Sequence, residues 1–376
     1  MKALLFANTD WYLWNFRLSL AKELRERGWE VLLVSPPGDY HRRLELEGFR
    51  WIGLELSRDG MNPLQELASL VQLVRLYRRE RPDVAHHFTV KCVLYGGVAA
   101  SIAGTRATVS SMTGLGHLFT TDTRRSRLAK PLAKLLYRFV LSHSTVIFQN
   151  PDDRSEFANL GLIEEDACQI IRGSGVDCGL FRPPPNARHD RTETVLLVGR
   201  LLAEKGIREF VEAARVVKRE RPGVRFMVAG GSDPGNPTSI DAATVAAWSA
   251  EGQVEFTGHH ENMVALLHSC DVAALPSYRE GTPRSLLEAA ACGLPLVASD
   301  VPGCREVVRH GDNGLLVPPR DSKALATALL DLLVDSAKRK SMGARSREIA
   351  VSDFAQEHVI AATLNAYDRA LSRSPA

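Results

Sequence analysis

Short apolar segments alternate with amphipathic helical patterns along this chain of 376 residues, and the whole series occurs twice. The first series runs from an apolar strand pattern at Lys2–Asn8 to another at Thr145–Phe148. The second runs from Val195–Val198 to a helical pattern at Ser322–Asp335. Buried strands that alternate with helices predict a parallel sheet covered by helices on both faces. Because 376 residues exceed one ordinary hydrophobic core, the pattern predicts two doubly wound α/β domains.

A segment rich in proline and glycine, between Gly173 and Arg191, separates the two series. We therefore expect an N-terminal domain at 1–185 and a C-terminal domain at 190–352. A final amphipathic helix at 353–376 is expected to pack near the domain boundary. Two such domains around a hinge would create one deep cleft at the carboxyl ends of both sheets.

The composition is that of a globular protein, with 45% hydrophobic and 24% charged residues. The six cysteines have no CxxC or metal-ligand spacing, so we expect reduced thiols in a reducing compartment. The apolar run at the N-terminus is too short for a signal peptide, and no run of eighteen apolar residues predicts a membrane span. A cytoplasmic location follows as an expectation.

The net charge of +3 is unevenly distributed. Residues 1–189 hold 25 basic and 20 acidic residues, and the remainder holds 22 and 24. A mildly basic N-terminal half suits anionic lipid or an anionic substrate, although an imbalance of this size also arises by chance. No nucleic acid partner is expected.

Two carboxylates, Glu280 and Glu288, stand eight residues apart at the start of a predicted helix. A strand pattern ends at Leu275, a loop follows, and Pro283 suits the first helical turn because its missing N–H costs nothing there. Free N–H groups at a helix start attract a phosphate or a polar sugar. One carboxylate would then lie beside a reacting sugar and the other beside a ribose. Two glutamates on an ordinary surface helix fit this segment, taken alone, equally well.

Two cations, Arg200 and Lys205, directly follow the strand at Val195–Val198 and precede a helical pattern. Two fixed positive charges suit a diphosphate, which gains charge as a glycosyl bond breaks. Gly230 and Gly231 follow another strand, and glycines let a backbone approach a ligand closely. Solvated turn residues explain each of these features singly but not their occurrence after three strands of one domain.

The spacing of these motifs resembles that of retaining glycosyltransferase family 4. The matching pattern is Gly-Arg-x4-Lys-Gly at 199–206, Ala-Gly-Gly at 229–231, Val-Glu-Phe-Thr-Gly at 254–258, and Ser-x2-Glu-Gly-x-Pro-x3-Leu-Glu-Ala at 277–289. These enzymes have the GT-B fold of two Rossmann-like domains. The resemblance extends over essentially the whole chain and implies that fold here.

By this resemblance the C-terminal domain binds a nucleotide sugar, with a UDP-sugar expected as the donor. Arg200 and Lys205 would hold the diphosphate, Glu280 would lie against the donor sugar, and Glu288 would bind the ribose hydroxyls. The other donor-binding residues are expected to be Gly230, Gly258, His259, Gly281, Thr282, Pro283, Arg284 and Ser285. The family further implies retention through a front-face reaction. The chain has no Asp-x-Asp, so we expect neither metal ion nor cofactor, with the cations and a helix N-terminus acting instead.

The N-terminal half resembles the branch that builds capsules, O-antigens and lipid-linked oligosaccharides, including N-acetylgalactosaminyl transferases of bacterial N-glycan assembly. The matching segments are Phe16-Arg17, residues 82–91 and residues 111–119. The branch implies a polyprenyl-diphosphate-linked acceptor, for which the candidate residues are Arg17, His87 and Lys91. His117, in a Gly-Leu-Gly-His loop, is expected to bond a hydroxyl of the donor sugar or the acceptor. The expected catalytic residues are Glu280, His117, Arg200 and Lys205.

The segment at 123–141 combines an apolar face at helical spacing with a basic stripe. Such a helix lies on anionic lipid or grips a lipid diphosphate, for which Lys134 and Arg138 are the candidates. Pro131 is expected to start the helix and to leave the first basic residues in a loop. The alternative is a core-packing helix with a solvated face. We expect peripheral association with the inner face of the cell membrane.

Together these features predict retaining transfer of a hexose or N-acetylhexosamine from a UDP-sugar to an undecaprenyl-diphosphate-linked saccharide. The alternatives are a UDP-HexNAc epimerase, a transferase with a soluble acceptor, and a non-catalytic partner of another transferase. A nicotinamide dehydrogenase does not fit, because Gly-x-Gly-x-x-Gly and its acidic residue are missing after the first strand. The sequence does not specify the donor sugar, the acceptor sugar, the linkage or the oligomeric state.

Overall fold

A computed structural model describes residues 1–56, 63–113, 124–185, 192–233 and 235–373. The chain forms two compact units. The N-terminal unit consists of Met1–Ser174 with Val359–Ala376, and the C-terminal unit consists of Gly175–His358. Each unit is built on its own parallel sheet. The predicted class, α/β with two doubly wound sheets, is confirmed.

The N-terminal unit has a seven-stranded sheet in the order β3-β2-β1-β4-β5-β6-β7. Its strands are β1 (Lys2–Phe6), β2 (Glu30–Ser35), β3 (Arg50–Gly53), β4 (Val84–Phe88), β5 (Ala107–Met112), β6 (Thr145–Phe148) and β7 (Gln169–Ile170). The strand order changes direction between β1 and β4. In open α/β sheets, ligands bind at the carboxyl edge beside such a switch point.

The helices of the N-terminal unit cover both faces of this sheet. They are α1 (Asp10–Tyr12), α2 (Leu18–Glu26), α3 (His41–Leu46), α4 (Pro63–Glu80), α5 (Val90–Ala103), α6 (Arg124–Ser142), α7 (Pro151–Asn159) and α15 (Gln356–Arg373). A π-helical turn at Leu13–Arg17 joins α1 to α2. Turns of this kind are frequent at functional sites.

Helix α6 corrects another prediction. It begins at Arg124 and contains Pro131, so the expectation that Pro131 starts the helix is wrong. A proline removes a single intrahelical hydrogen bond, and the other turns of this 19-residue helix maintain it.

The C-terminal unit has a six-stranded sheet in the order β10-β9-β8-β11-β12-β13. Its strands are β8 (Thr194–Val198), β9 (Arg225–Ala229), β10 (Glu255–Gly258), β11 (Val272–Leu275), β12 (Leu296–Ser299) and β13 (Gly314–Val317). Successive residues of β8 enter opposite cores, because Leu196 packs into one buried cluster and Val195 and Leu197 into the other. The continuous apolar runs of the sequence therefore correspond to strands buried on both faces.

The helices of the C-terminal unit are α8 (Ile207–Glu220), α9 (Ala242–Ala250), α10 (Met263–His268), α11 (Arg284–Ala291), α12 (Pro302–Val307), α13 (Ser322–Val334) and α14 (Ser336–Asp353). The strand pattern predicted to end at Leu275 is β11, and the helical pattern at Ser322–Asp335 is α13, whereas α12, α14 and β13 were not predicted. None of the helices in the described ranges combines the length and the apolar character needed to cross a bilayer.

Candidate active site

Three loops converge at the carboxyl edge of the C-terminal sheet, next to the switch point between β8 and β11. Backbone hydrogen bonds tie the loops after β8 and β9: Gly199 donates to Ala229 at 3.0 Å, and Leu201 donates to Gly231 at 3.0 Å. Gly230 donates to Gly258, at the end of β10, at 2.8 Å. The predicted donor-binding glycines 230 and 258 are therefore bonded to each other.

Glycine is required at two points where these loops meet. A Cβ atom at Gly230 would lie 1.9 Å from the carbonyl oxygen of Gly199, and the φ of Gly230 is +153°. A Cβ atom at Gly206, whose φ is +70°, would lie 2.1 Å from the carbonyl oxygen of Pro276. The second contact presses the loop after β11 against the loop after β8.

Lys205 and Glu280 form the centre of this arrangement. The Nζ atom of Lys205 donates to Oε1 of Glu280 at 2.5 Å. The hydroxyl of Ser277, which is fully buried, donates to the same carboxylate oxygen at 2.6 Å. The Glu280 side chain is 10% exposed and that of Lys205 is 21% exposed. The structure thus brings together the predicted diphosphate ligand and the predicted sugar-side carboxylate.

Arg200 lies at the rim of the same edge and pairs with a residue that sequence reasoning missed. Its Nη1 atom donates to Oδ2 of Asp233 at 2.5 Å. The Arg200 side chain is half exposed, whereas that of Asp233 is mostly buried. The sequence feature that could have identified Asp233 as a site residue is its position just after the glycines that follow β9.

Helix α11 begins beside these loops, as predicted from Pro283. Pro283 is its N-cap, so Thr282 precedes the helix and Arg284 and Ser285 form its first turn. Nε of Arg284 donates to Oε1 of Glu288 at 2.7 Å across one helical turn. Burial raises the pKa of the Glu288 carboxyl above its ordinary value, and the Arg284 guanidinium opposes part of that rise.

Helix α12 packs directly on the loop that contains Glu280. A Cβ atom at Gly303 would lie 2.0 Å from the carbonyl oxygen of Gly281. The close approach explains why this helix has glycine at its second position. His259 is exposed, and Nε2 of the next residue, His260, is buried without a hydrogen-bond partner among the described residues.

In the N-terminal unit, the predicted acceptor residue His87 lies on the buried strand β4. The side chain is fully buried, Nε2 lies 3.0 Å from the hydroxyl of Tyr77, and burial lowers its pKa to about 3. A Cβ atom at Gly96 of α5 would lie 2.5 Å from the ring. The contact between His87 and an acceptor stays a prediction, and its burial does not support it: β4 is buried on both faces, so this side chain lies in the core.

The other predicted acceptor residues have different surroundings. Nζ of Lys91 donates to Oε1 of Glu66 at 2.8 Å. Arg17 is 5% exposed and stacks on the ring of Phe88. Arg138 is exposed and donates from Nε to the Gly161 carbonyl at 2.5 Å, and Lys134 is half-buried on the same helix. His117 lies outside the described residues.

Two family models match this chain. One, described as "Glycosyl transferase 4-like", matches residues 2–150, and the other, "Glycosyl transferases group 1", matches residues 192–335. Together they span more than half of the sequence, and the second includes the loops at the carboxyl edge of the C-terminal sheet.

The chain belongs to the glycosyltransferase 4-like family.

Relatives of this glycosyltransferase include two bacterial enzymes. The N,N'-diacetylbacillosaminyl-diphospho-undecaprenol alpha-1,3-N-acetylgalactosaminyltransferase of Campylobacter jejuni is 29% identical and covers 96% of each chain. The UDP-Gal:alpha-D-GlcNAc-diphosphoundecaprenol alpha-1,3-galactosyltransferase of Escherichia coli is 25% identical and covers 72% of each. The solved structure of Anabaena HepE in complex with UDP-glucose aligns with a TM-score of 0.79 at 23% identity, over 97% of this chain and 99% of that one. The GT-B fold predicted from the motifs is confirmed.

Sequence reasoning missed a further contact of the loop after β11, in which Tyr278 bonds residues of the segment that follows β8. The Tyr278 hydroxyl donates to Oε1 of Glu209 on α8 at 2.7 Å, and the Tyr278 N–H donates to the Glu204 carbonyl at 2.8 Å. Burial, helped by the bond to Glu209, raises the pKa of Tyr278 to about 12. The Arg320 guanidinium lies 4.5 Å from the Tyr278 ring centroid. Tyr278 occupies a variable position of the motif, so the pattern did not single it out.

Proposed function

We propose that this glycosyltransferase moves a sugar from a UDP-sugar to an undecaprenyl-diphosphate-linked saccharide during assembly of a bacterial surface glycan or N-glycan. The observation that carries the proposal is the similarity over 96% of both chains to the Campylobacter enzyme, whose name states such an acceptor. The Escherichia coli relative, whose name states the same class of acceptor and a UDP-sugar donor, supports it.

The contacts at the carboxyl edge of the C-terminal sheet are compatible with a nucleotide diphosphate. Lys205 and Arg200 are each engaged by one carboxylate, and a diphosphate carries enough negative charge to compete for both. Once bound, the two cations would stabilise the charge that develops on the leaving diphosphate. Glu280, held by Lys205 and Ser277, would then lie beside the donor sugar, and Glu288 would accept hydrogen bonds from the ribose hydroxyls.

Retention of configuration follows if the acceptor hydroxyl attacks from the face that the diphosphate leaves. The departing phosphate oxygen would take the acceptor proton, and no separate base is needed. In this scheme the fixed cations stabilise the diphosphate charge that a metal ion would otherwise stabilise. We therefore propose that turnover does not require a metal ion. Loss of activity in EDTA that is restored by a divalent cation would contradict this.

Helix α6 supports peripheral membrane association as part of the same proposal. Its apolar residues Leu132, Leu135 and Phe139 are 73%, 63% and 45% exposed, so the core does not cover this face. The buried face of α6 is formed instead by Tyr137, Val140 and Leu141. Exposed leucines next to basic side chains suit the interface of an anionic bilayer.

A screen of UDP- and GDP-sugars tests the proposal, with nucleotide release measured against a detergent-solubilised undecaprenyl-diphosphate-linked saccharide and against the free saccharide. We expect release with a UDP-sugar and the lipid-linked acceptor. Equal release with the free saccharide would favour a soluble acceptor. Interconversion of UDP-HexNAc sugars without an acceptor would favour an epimerase, and no turnover would favour a non-catalytic partner.

A further inference from the structure

Arg17, at the end of the π-helical turn, is a buried cation with unusual surroundings. Its side chain is 5% exposed, and its Nη2 atom donates to the Tyr12 hydroxyl at 2.9 Å. The guanidinium carbon lies 4.2 Å from the ring centroid of Phe88 and 5.5 Å from that of Tyr12. Its Nε atom is buried and has no hydrogen-bond partner in the described part of the chain.

The groups around Arg17 do not balance its charge. The nearby His86 is fully buried, and its two ring nitrogens lie 2.8 Å from the Tyr367 hydroxyl and 2.7 Å from the Ser111 hydroxyl. Burial, with the Arg17 charge, holds the pKa of His86 well below its ordinary value, so the ring is neutral. Within the described residues, Arg17 forms no ion pair with a carboxylate.

The two carboxylates nearest to Arg17 in sequence are engaged elsewhere. Glu23 accepts a hydrogen bond from Nε of Arg27 at 2.7 Å. Asp10 is buried and accepts N–H groups of Trp11, Tyr40 and His41, all within 2.8 Å. A buried charge that lacks a counter-charge destabilises the fold by several kcal/mol in general. Such a charge indicates that an anion is bound when the protein works.

The position of Arg17 in the fold suits a ligand. The residue follows β1, and its stacking partner Phe88 ends β4, the strand on the other side of the switch point. Helix α5, of 14 residues, begins immediately after Phe88 and Thr89. Thr89 makes no side-chain capping bond and has a φ of +72°, which a β-branched residue rarely adopts. The first N–H groups of α5 therefore lie at the same edge of the sheet, without a side-chain cap.

We infer that Arg17 and the N-terminus of α5 bind a phosphate group of the lipid-linked acceptor diphosphate, an inference that rests on the proposed function. Arg17 supplies the positive charge, and the α5 backbone supplies N–H donors. Of the two other predicted acceptor residues in this region, His87 is buried in the core and Lys91 already contacts Glu66.

Substitution Arg17→Met tests this inference, because methionine keeps much of the apolar stem and removes the charge. We expect the KM for the lipid-linked acceptor to rise roughly tenfold or more. The KM for the donor and the rate of donor hydrolysis without acceptor should not change. The melting temperature of the unliganded protein should stay the same or increase, since an unbalanced buried charge has been removed.

The matched control is Arg25→Met, because the Arg25 guanidinium also stacks on an aromatic ring, 4.4 Å from the centroid of Phe49, but is exposed. We expect its acceptor KM to be normal. A lower melting temperature of the Arg17→Met protein together with a normal acceptor KM would overturn the inference and make Arg17 a structural residue.

A binding measurement separates this inference from the proposed function. With UDP saturating the donor site, inorganic pyrophosphate should raise the melting temperature of the wild-type protein and not that of Arg17→Met. Equal stabilisation of both proteins would overturn an anion site at Arg17. If pyrophosphate stabilises only the wild type, Arg17 is part of an anion site. If the enzyme then turns over free glycosyl phosphates but no lipid-linked acceptor, the anion bound there does not belong to a lipid-linked acceptor.

Discussion

At the scale of single residues, the candidate donor site is an arrangement of cations each held by a carboxylate. The pairs are Lys205–Glu280, Arg200–Asp233 and Arg284–Glu288. Each carboxylate orients its cation and also competes with a ligand for it. The sequence predicted five of these six residues as members of one site, but their pairing depends on loops that follow different strands.

Lys205→Ala should reduce turnover by about 10²-fold or more, because it removes one of the two fixed positive charges that stabilise the leaving diphosphate. Initial rates of UDP release at saturating donor and acceptor measure the effect. Lys340→Ala is the matched control, since Lys340 is exposed on α14 of the same unit. Near-normal turnover of Lys205→Ala would show that Lys205 does not stabilise the leaving group.

Donor affinity should depend on the protonation of Glu288. Burial raises the pKa of this carboxyl above the ordinary 4.5, so it becomes protonated, as pH falls, before an ordinary glutamate does. The ionised form accepts hydrogen bonds from the ribose, and affinity for UDP should therefore fall with decreasing pH in a window that begins above 4.5. Calorimetric titration of UDP at several pH values measures this. Glu288→Gln should bind UDP more weakly and lose this part of the pH dependence, while identical profiles would exclude the role.

At the scale of elements, glycine positions determine which loops meet. Gly230 and Gly206 permit backbone contacts between loops, and Gly303 permits α12 to pack on the carbonyl of Gly281. Helix α12 was missed because Pro302-Gly303 is typical of a turn. Proline is also favourable at the first position of a helix, and here tertiary contact selects that option.

Gly230→Ala should destabilise the C-terminal unit by about 1–3 kcal/mol and weaken UDP binding, because the added Cβ meets the Gly199 carbonyl. Denaturant unfolding and UDP titration measure the two effects. A Cβ atom at the neighbouring Gly231 would meet no other described atom within 4 Å, so Gly231→Ala is the matched control and should be close to neutral. Equal behaviour of the two variants would show that the loop contact has no role.

At the scale of the whole molecule, the chain returns at its end to the unit in which it began. Residues from Val359 onward belong to the N-terminal unit, and α15 buries Val359, Leu364 and Tyr367 in the core that contains Leu5 and Leu33. The Tyr367 hydroxyl also reaches His86 of β4 across 281 positions in sequence. The N-terminal unit is therefore completed only after the C-terminal unit has been synthesised.

Tyr367→Ala should destabilise the N-terminal unit by about 3–5 kcal/mol, because it leaves a cavity and removes a hydroxyl from His86. Thermal unfolding followed by tryptophan fluorescence measures the loss. Arg369→Ala on the same helix should change stability by less than about 0.5 kcal/mol, because Arg369 is exposed. A similar small effect of both substitutions would contradict the role of α15 in this core.

The sequence by itself determined the α/β class, the strands that begin each of the two series of strands and helices, and the candidate residues at the carboxyl edge of the C-terminal sheet. These follow from local rules, since buried parallel strands read as apolar runs and a helix start is marked by Pro283. Only the tertiary structure decided which side chains meet or are hidden. Asp233 pairs with Arg200, His87 turns into the core, and Arg17 is buried without a counter-charge among the described residues. The burial and pairing of these side chains depend on segments distant in sequence, so local sequence patterns do not predict them.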